Sequence, residues 1–248
     1  MFPIRDHNPS GRWPAVTYLL IAVNVAVFLA YYLTLDDAAL GYFFYGWGFV
    51  PQFVSEGLNL HGIVTHMFLH GGWMHILGNM LFLFIFGDNM EDEMGHVGFA
   101  LFYLAAGLAA VGLQYAAAPY SDVPMVGASG AIAGVMGGYL LLFPKARVDV
   151  LFIIVIFFRI FPIPAWIVLG VWFGLQLFNG AMTPLDGGGV AYWAHAGGFI
   201  AGVVLTVPLW LRRGGPGFWT RTDGAPPHPE ATYPLAPSRI PQVPKRPR

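Results

Sequence analysis

Six stretches of this chain run for roughly 20 residues each without an aspartate, glutamate, lysine or arginine. They extend over about Val16–Leu35, Gly71–Gly87, Val97–Ala118, Val126–Phe143, Ile163–Gly180 and Val190–Leu211. A bilayer core about 30 Å thick is matched by helices of that length, and in lipid a helix satisfies its own backbone polar groups. The composition agrees: 10% of the residues are charged, where a soluble domain carries about 25%. The predicted fold class is all-α, a polytopic membrane protein built as a six-transmembrane-helix bundle. A seventh apolar stretch, Val148–Phe161, is interrupted by Arg159 and followed by Pro162. It is predicted to be an interfacial segment leading into the fifth helix.

The basic residues orient the bundle. All 12 fall on one side of a six-span arrangement, and the connections Asp36–Leu69, Pro119–Met125 and Ala181–Gly189 contain none. Cytoplasmic loops collect lysine and arginine, so both termini are placed in the cytoplasm. The polar start, Met1–Pro14, lacks the plan of a cleaved signal, and the first apolar run is predicted to be retained. Residues 1–15 form a cytoplasmic N-terminal segment and 16–211 the membrane-embedded domain. Residues 212–248, rich in proline, are predicted to be a disordered cytoplasmic tail. The connection Asp36–Leu69 carries Tyr42, Phe43, Phe44, Tyr45, Trp47 and Phe49 and is placed in the outer interface. A net charge of -1 gives no general attraction to nucleic acid.

Helices two, four and six then run from outside to inside, and each carries a polar residue near its start: His75, Ser129 and His195. Measured from Asp88, Lys145 and Arg212 at 1.5 Å per residue, the three lie roughly 20, 24 and 25 Å above the cytoplasmic boundary. Polar groups at one depth in hydrocarbon indicate a shared function. A serine hydroxyl is a weak nucleophile and needs a base. No aspartate or glutamate lies inside any span, so the pattern predicts a Ser129–His195 dyad with the imidazole oriented by helix packing. His75 and Asn79, four residues apart, share a helix face and can donate to a developing oxyanion. The N-terminal N–H groups of helix four add further donors. Gly127, Gly130, Gly198 and Gly202 are the candidate helix-packing positions.

Three motifs, Gly127-Ala-Ser-Gly130, Ala194-His-Ala-Gly-Gly-Phe-Ile-Ala-Gly202 and His75-Ile-Leu-Gly-Asn79, resemble the signatures of the rhomboid intramembrane serine proteases. The resemblance covers about Thr17–Leu211. It implies Ser129 as nucleophile and His195 as base. The oxyanion site would be His75, Asn79 and the Ser129 backbone N–H. It also implies a serine endopeptidase that needs no cofactor or metal and cleaves transmembrane proteins near their outer ends. The implied setting is a lipid bilayer, here a bacterial inner membrane, and the oligomeric state is left open. Two departures stand out. The Trp-Arg pair that many members carry in the first loop is Gly46-Trp47-Gly48 here, and a tyrosine that stacks on the histidine in some members is Ala133. Glu91 opens an acidic cluster after helix two, as a glutamate often does in that family.

Plainer readings stand beside these. Ser129 alone could be a small packing residue. His61, His66, His70 and His75 could form a metal cluster, although no acidic ligand or HExxH motif accompanies them; His66 and His70 are instead predicted to satisfy first-loop backbone groups. Gln114 is predicted to hydrogen-bond between helices, and Arg159 to snorkel. A catalytically dead relative that binds membrane clients is opposed by the intact Ser129 and His195. A multipass transporter is opposed by the lack of repeated, interrupted helices. Finally, helix five, with Trp166, Trp172, Phe173 and Phe178, is predicted to be the side where a substrate enters, free to move because it carries no catalytic group.

Overall fold

The computed structural model describes residues 2–154, 157–183 and 189–233. Strand β1 (Phe2–Asp6) precedes helix α1 (Ala15–Tyr32). Short helices α2 (Asp37–Trp47), α3 (Pro51–Ser55) and α4 (Gly62–Thr65) then form the first loop, followed by the long α5 (Trp73–Ala117) and by α6 (Ser129–Leu142). A hairpin of β2 (Arg147–Ile154) and β3 (Phe157–Pro164) leads into α7 (Ala165–Met182), α8 (Tyr192–Arg213) and the short α9 (Pro216–Thr222).

Four helices, α1, α5, α7 and α8, are long and apolar enough to cross a membrane. Helix α5 takes up two of the apolar runs and breaks between them at Gly95, whose φ of 71° and ψ of 164° interrupt the helix. That backbone state suits glycine, which has no Cβ to clash. Helix α6, at 14 residues, is apolar but shorter. It is also the centre of the molecule. Gly130 to Tyr139 are all buried, so the helix has no solvent or lipid face for most of its length. It packs chiefly on α8 and α5. A Cβ on Gly198 would run into the carbonyl oxygen of Gly130, and one on Gly202 into that of Gly134. The GxxxG face of α8 therefore does what its spacing suggests: it lets two backbones touch.

The all-α expectation needs correcting. Val148–Phe161 leads into the next apolar helix as expected, but it does so as most of a β-hairpin, and β1 joins it to make an antiparallel sheet of order β1-β2-β3. Pairing runs from Arg147 opposite Pro164 to Ile154 opposite Phe157. Arg159 and Pro162, which disrupt a helical reading, are tolerated on β3 because it is an edge strand, where a missing N–H and a long cation do no harm. The segment hides its nature because it is almost uniformly apolar and lacks the alternation that marks a half-buried strand.

The tail also departs from expectation over the residues described. Residues 216–222 are helical, and the chain beyond them returns to the sheet instead of dispersing. The Ala231 N–H donates to the His7 carbonyl, the Tyr233 hydroxyl donates to the Asp6 carbonyl, and the Arg5 guanidinium lies 3.8 Å from the Tyr233 ring centroid. Proline richness predicts disorder only when nothing nearby offers a partner, and here the N-terminal strand does. Residues 234–248 lie outside the described part, so the tail expectation applies to them alone.

Two carboxylates tie this sheet and the helix ends together. Glu91 is buried and accepts from the N–H groups of Val16 and Thr17 and from the Thr17 hydroxyl, at 2.7–2.8 Å. Helix α1 has no side-chain cap of its own after Pro14, so an acid from α5 satisfies its orphan donors and meets the positive end of its dipole. Glu91→Ala strands these buried groups and should cost about 3 kcal/mol, visible as a lower thermal midpoint in detergent. Asp6 is also buried, and its carboxylate accepts from the Tyr139 hydroxyl of α6 at 2.7 Å. Burial pushes its pKa from 3.8 up to about 8, outweighing the Tyr139 hydrogen bond that favours the charged form. The folded protein thus holds a proton that the unfolded chain releases, and stability is lost as pH rises from about 4 through 8. The thermal midpoint should fall over that window, and Asp6→Asn should flatten the slope.

Candidate active site

The loop before α6 is fixed at two points, and this sets where Ser129 emerges. Phe49 and Met125 exchange backbone hydrogen bonds at 3.0 and 2.8 Å, and the Gly127 N–H donates to the His66 carbonyl at 2.9 Å. Gly127 has φ of 132°. A Cβ there would lie 2.8 Å from His75 Nε2 and 3.4 Å from Ser129 Oγ. Gly127 was expected to pack helices, but it precedes α6 and instead clears the space between Ser129 and His75. Gly130, Gly198 and Gly202 do lie in the α6–α8 contact.

Ser129 is the first residue of α6 and His195 lies in the first turn of α8. The close α6–α8 packing brings Ser129 Oγ and His195 Nε2 to 2.7 Å. The other imidazole nitrogen, Nδ1, is 2.8 Å from Gln176 Oε1 of α7. An amide oxygen only accepts, so Nδ1 carries the proton and Nε2 is left to accept from the serine hydroxyl. The Gln176 amide nitrogen donates to the Trp172 carbonyl at 3.3 Å, which orients that amide. The Trp172 ring lies against the imidazole, with centroids 5.7 Å apart at 37°. The ring against the histidine thus comes from α7, whereas position 133 of α6 is an alanine.

His75 sits opposite. The Gly71 N–H donates to its Nδ1 at 3.2 Å. A backbone N–H cannot accept, so the proton of the neutral ring is on Nε2, the atom that faces Gly127 and the serine. The Tyr31 hydroxyl bonds both the N–H and the carbonyl of His70 at 2.7 Å, pinning the chain just ahead of α5. Asn79 is buried one turn beyond His75, and its amide nitrogen has no partner among the described residues. A donor left open in a buried place suits a ligand that arrives only during reaction. A cavity of about 400 Å³ joins His75, Gly127, Ser129 and His195 with Gln114 and Ala194.

The remaining polar residues divide. The Gln114 side chain accepts from the Ala194 N–H at 3.2 Å, an α5–α8 bond of the expected kind. His66 Nδ1 bonds the Gly62 carbonyl at 3.0 Å, as predicted for a loop-satisfying ring. The His70 ring does not serve the backbone. Among the described residues both of its nitrogens lack partners, and it stands edge-on to His75 at 5.0 Å.

The largest correction concerns α7. It was expected to stand apart from the dyad, yet Gln176 and Trp172 make it the helix that holds the imidazole. A partial signal was available: Gln176 lies four residues after Trp172, and so on the same face, in an apolar run that otherwise carries one polar amide, Asn179.

A family model described as "Rhomboid domain" matches residues 58–212, a range that includes all of these side chains except Tyr31. The chain is 30% identical over 199 residues to "Rhomboid protein 1, mitochondrial" of Saccharomyces cerevisiae, covering 76% of this chain and 51% of that protein. It is 25% identical over 190 residues to "Rhomboid protease GlpG" of Haemophilus influenzae, covering 76% and 88%. "Rhomboid protease GluP" of Bacillus subtilis is 28% identical over 211 residues, covering 82% and 36%. The chain spans 51%, 42% and 36% of three relatives from yeast and Arabidopsis thaliana.

Proposed function

This chain belongs to the rhomboid family, and on that premise we propose that it is an intramembrane serine endopeptidase acting on transmembrane proteins. The observation that carries the reading is the 2.7 Å approach of Ser129 Oγ to His195 Nε2 at the wall of a cavity between apolar helices.

In the proposed reaction the Ser129 hydroxyl attacks the scissile carbonyl and its proton passes to His195 Nε2. The negative oxygen is met by the Ser129 backbone N–H, His75 Nε2–H and the Asn79 amide. The imidazolium then protonates the departing amine, the C–N bond breaks, and an acyl-serine remains. Water, deprotonated by the same histidine, releases it. Every atom required comes from the chain, the substrate and water, so no cofactor or metal enters.

The proposed membrane arrangement has six crossings: α1, the two arms of α5 on either side of Gly95, then α6, α7 and α8. Both termini lie in the cytoplasm of a bacterial cell, and the core domain is 16–211. The one-sided basic residues support this orientation. Ser129 then lies below the outer surface, where a substrate held in the lipid reaches it from the side. Purified protein reconstituted with a single-span substrate should cut it near the outer end of its span, and Ser129→Ala protein should not. Equal cleavage by both proteins would remove the proposal.

A further inference from the structure

The contact between α7 and the imidazole has a consequence for how the site is switched on. We infer that Gln176 is a positioning residue for His195, and that it makes the base competent only while α7 is seated against α8. The inference rests on the protease reading above and deepens it.

Two independent observations support it. The first is the hydrogen-bond chain. Trp172 O accepts from Gln176 Nε2, and Gln176 Oε1 accepts from His195 Nδ1. His195 Nε2 in turn accepts from Ser129 Oγ. No other side chain among the described residues bonds His195 Nδ1. An isolated neutral imidazole can carry its proton on either nitrogen. With the acceptor gone, nothing holds the proton on Nδ1, and a ring protonated on Nε2 faces Ser129 with a donor instead of a lone pair. The second observation is the mounting of α7. Only Ala165, Val168, Leu169, Gln176 and Gly180 of its 18 residues are buried. Near the site it is held to α8 by Trp172 and Phe173 on Phe199, the latter pair stacked at 4.4 Å. Helices α5, α6 and α8 interlock through close backbone approach, whereas α7 rests against them through side chains. Of the helices that touch the dyad it is therefore the one most easily displaced by a chain arriving from the lipid.

Any outward shift of α7 by more than a hydrogen bond's tolerance withdraws both Gln176 and Trp172 from the imidazole. Ser129 then loses its base while α7 is displaced. Reseating α7 behind a bound substrate restores it, so water entering an open site meets an unactivated serine. Lids that complete a catalytic constellation on closing follow the same logic.

Three variants test the assignment: Gln176→Leu, which removes the acceptor at similar size, Gln176→Glu, which keeps it and adds charge, and Gln176→Asn, which is one methylene too short. Each is compared with wild type by kcat, KM and the pH profile of cleavage in liposomes, and by the labelling rate with a soluble fluorophosphonate. Gln176→Leu and Gln176→Asn should lower kcat on the order of tenfold, the worth of one hydrogen bond, with KM nearly unchanged. Labelling should slow in parallel. Gln176→Glu should recover most of kcat and move the acidic limb of the profile upward by about a pH unit or more, because a carboxylate beside Nδ1 favours the imidazolium. A side chain at 176 that does not face Nδ1 would leave that limb where it is. Wild-type kcat in Gln176→Leu, or an unmoved acidic limb in an active Gln176→Glu, overturns the assignment. If wild type itself fails to cleave or label, the protease reading fails instead, and the two failures are told apart in one experiment.

Discussion

Ser129→Ala and His195→Ala should each lower cleavage of a transmembrane substrate by at least about 10⁴-fold, the scale seen when one member of a concerted nucleophile–base unit is lost. The geometry explains the size. Ser129 Oγ donates to His195 Nε2 at 2.7 Å, and no other side chain among the described residues hydrogen-bonds either atom, so removing one leaves the other without a task. The double variant should be no slower than the worse single. Both should still insert and fold, since Ser129 and His195 are half-buried at a cavity wall, at the end of the α6–α8 contact whose close packing is made by Gly130, Gly134, Gly198 and Gly202. Cleavage kinetics on detergent-purified, monodisperse protein check this. Additive losses in the double variant would mean that the two residues act separately.

The second large effect is expected opposite the dyad. His75→Ala and Asn79→Ala should each slow turnover by about 10²–10³-fold without abolishing it, the usual cost of one oxyanion donor. Backbone N–H groups in the first turn of α6 remain in both variants. The loss should appear in kcat, because the charge that these donors meet exists only in the transition state. Asn79 makes the sharper case, as its buried amide nitrogen has no partner among the described residues, so deleting it breaks no hydrogen bond of that nitrogen there. A double variant that turns over at the wild-type rate would remove both residues from the site.

The candidate residues were conspicuous in the sequence because membranes make polar residues conspicuous. Ser129, His195, His75 and Asn79 stand out against apolar surroundings, and the structure brings Ser129, His195 and His75 to one cavity. The α6–α8 contact was legible from Gly198 and Gly202 for the same reason: small residues four apart on a helix have few other uses. Gln176 escaped because an amide in a helix most simply bonds to another helix, and nothing in the spacing says that its partner is an imidazole. Gly127 was misjudged because its backbone angle, which places it outside α6, cannot be read from a residue type. The sheet was missed for a related reason. A strand that is apolar on both faces carries no period, and β1 pairs with β2 across more than a hundred residues of chain. The docking of the tail on β1 depends on Tyr233 meeting Arg5 and Asp6, a long-range contact that composition does not encode.

The central claim is that His195 activates Ser129 and no other residue. Intact protein exposed to a fluorophosphonate and mapped by peptide mass spectrometry tests it directly. The account predicts one adduct, on Ser129, formed at a rate that collapses in His195→Ala although the serine is still present. An adduct on another residue, or labelling of Ser129 at the wild-type rate without His195, would contradict it.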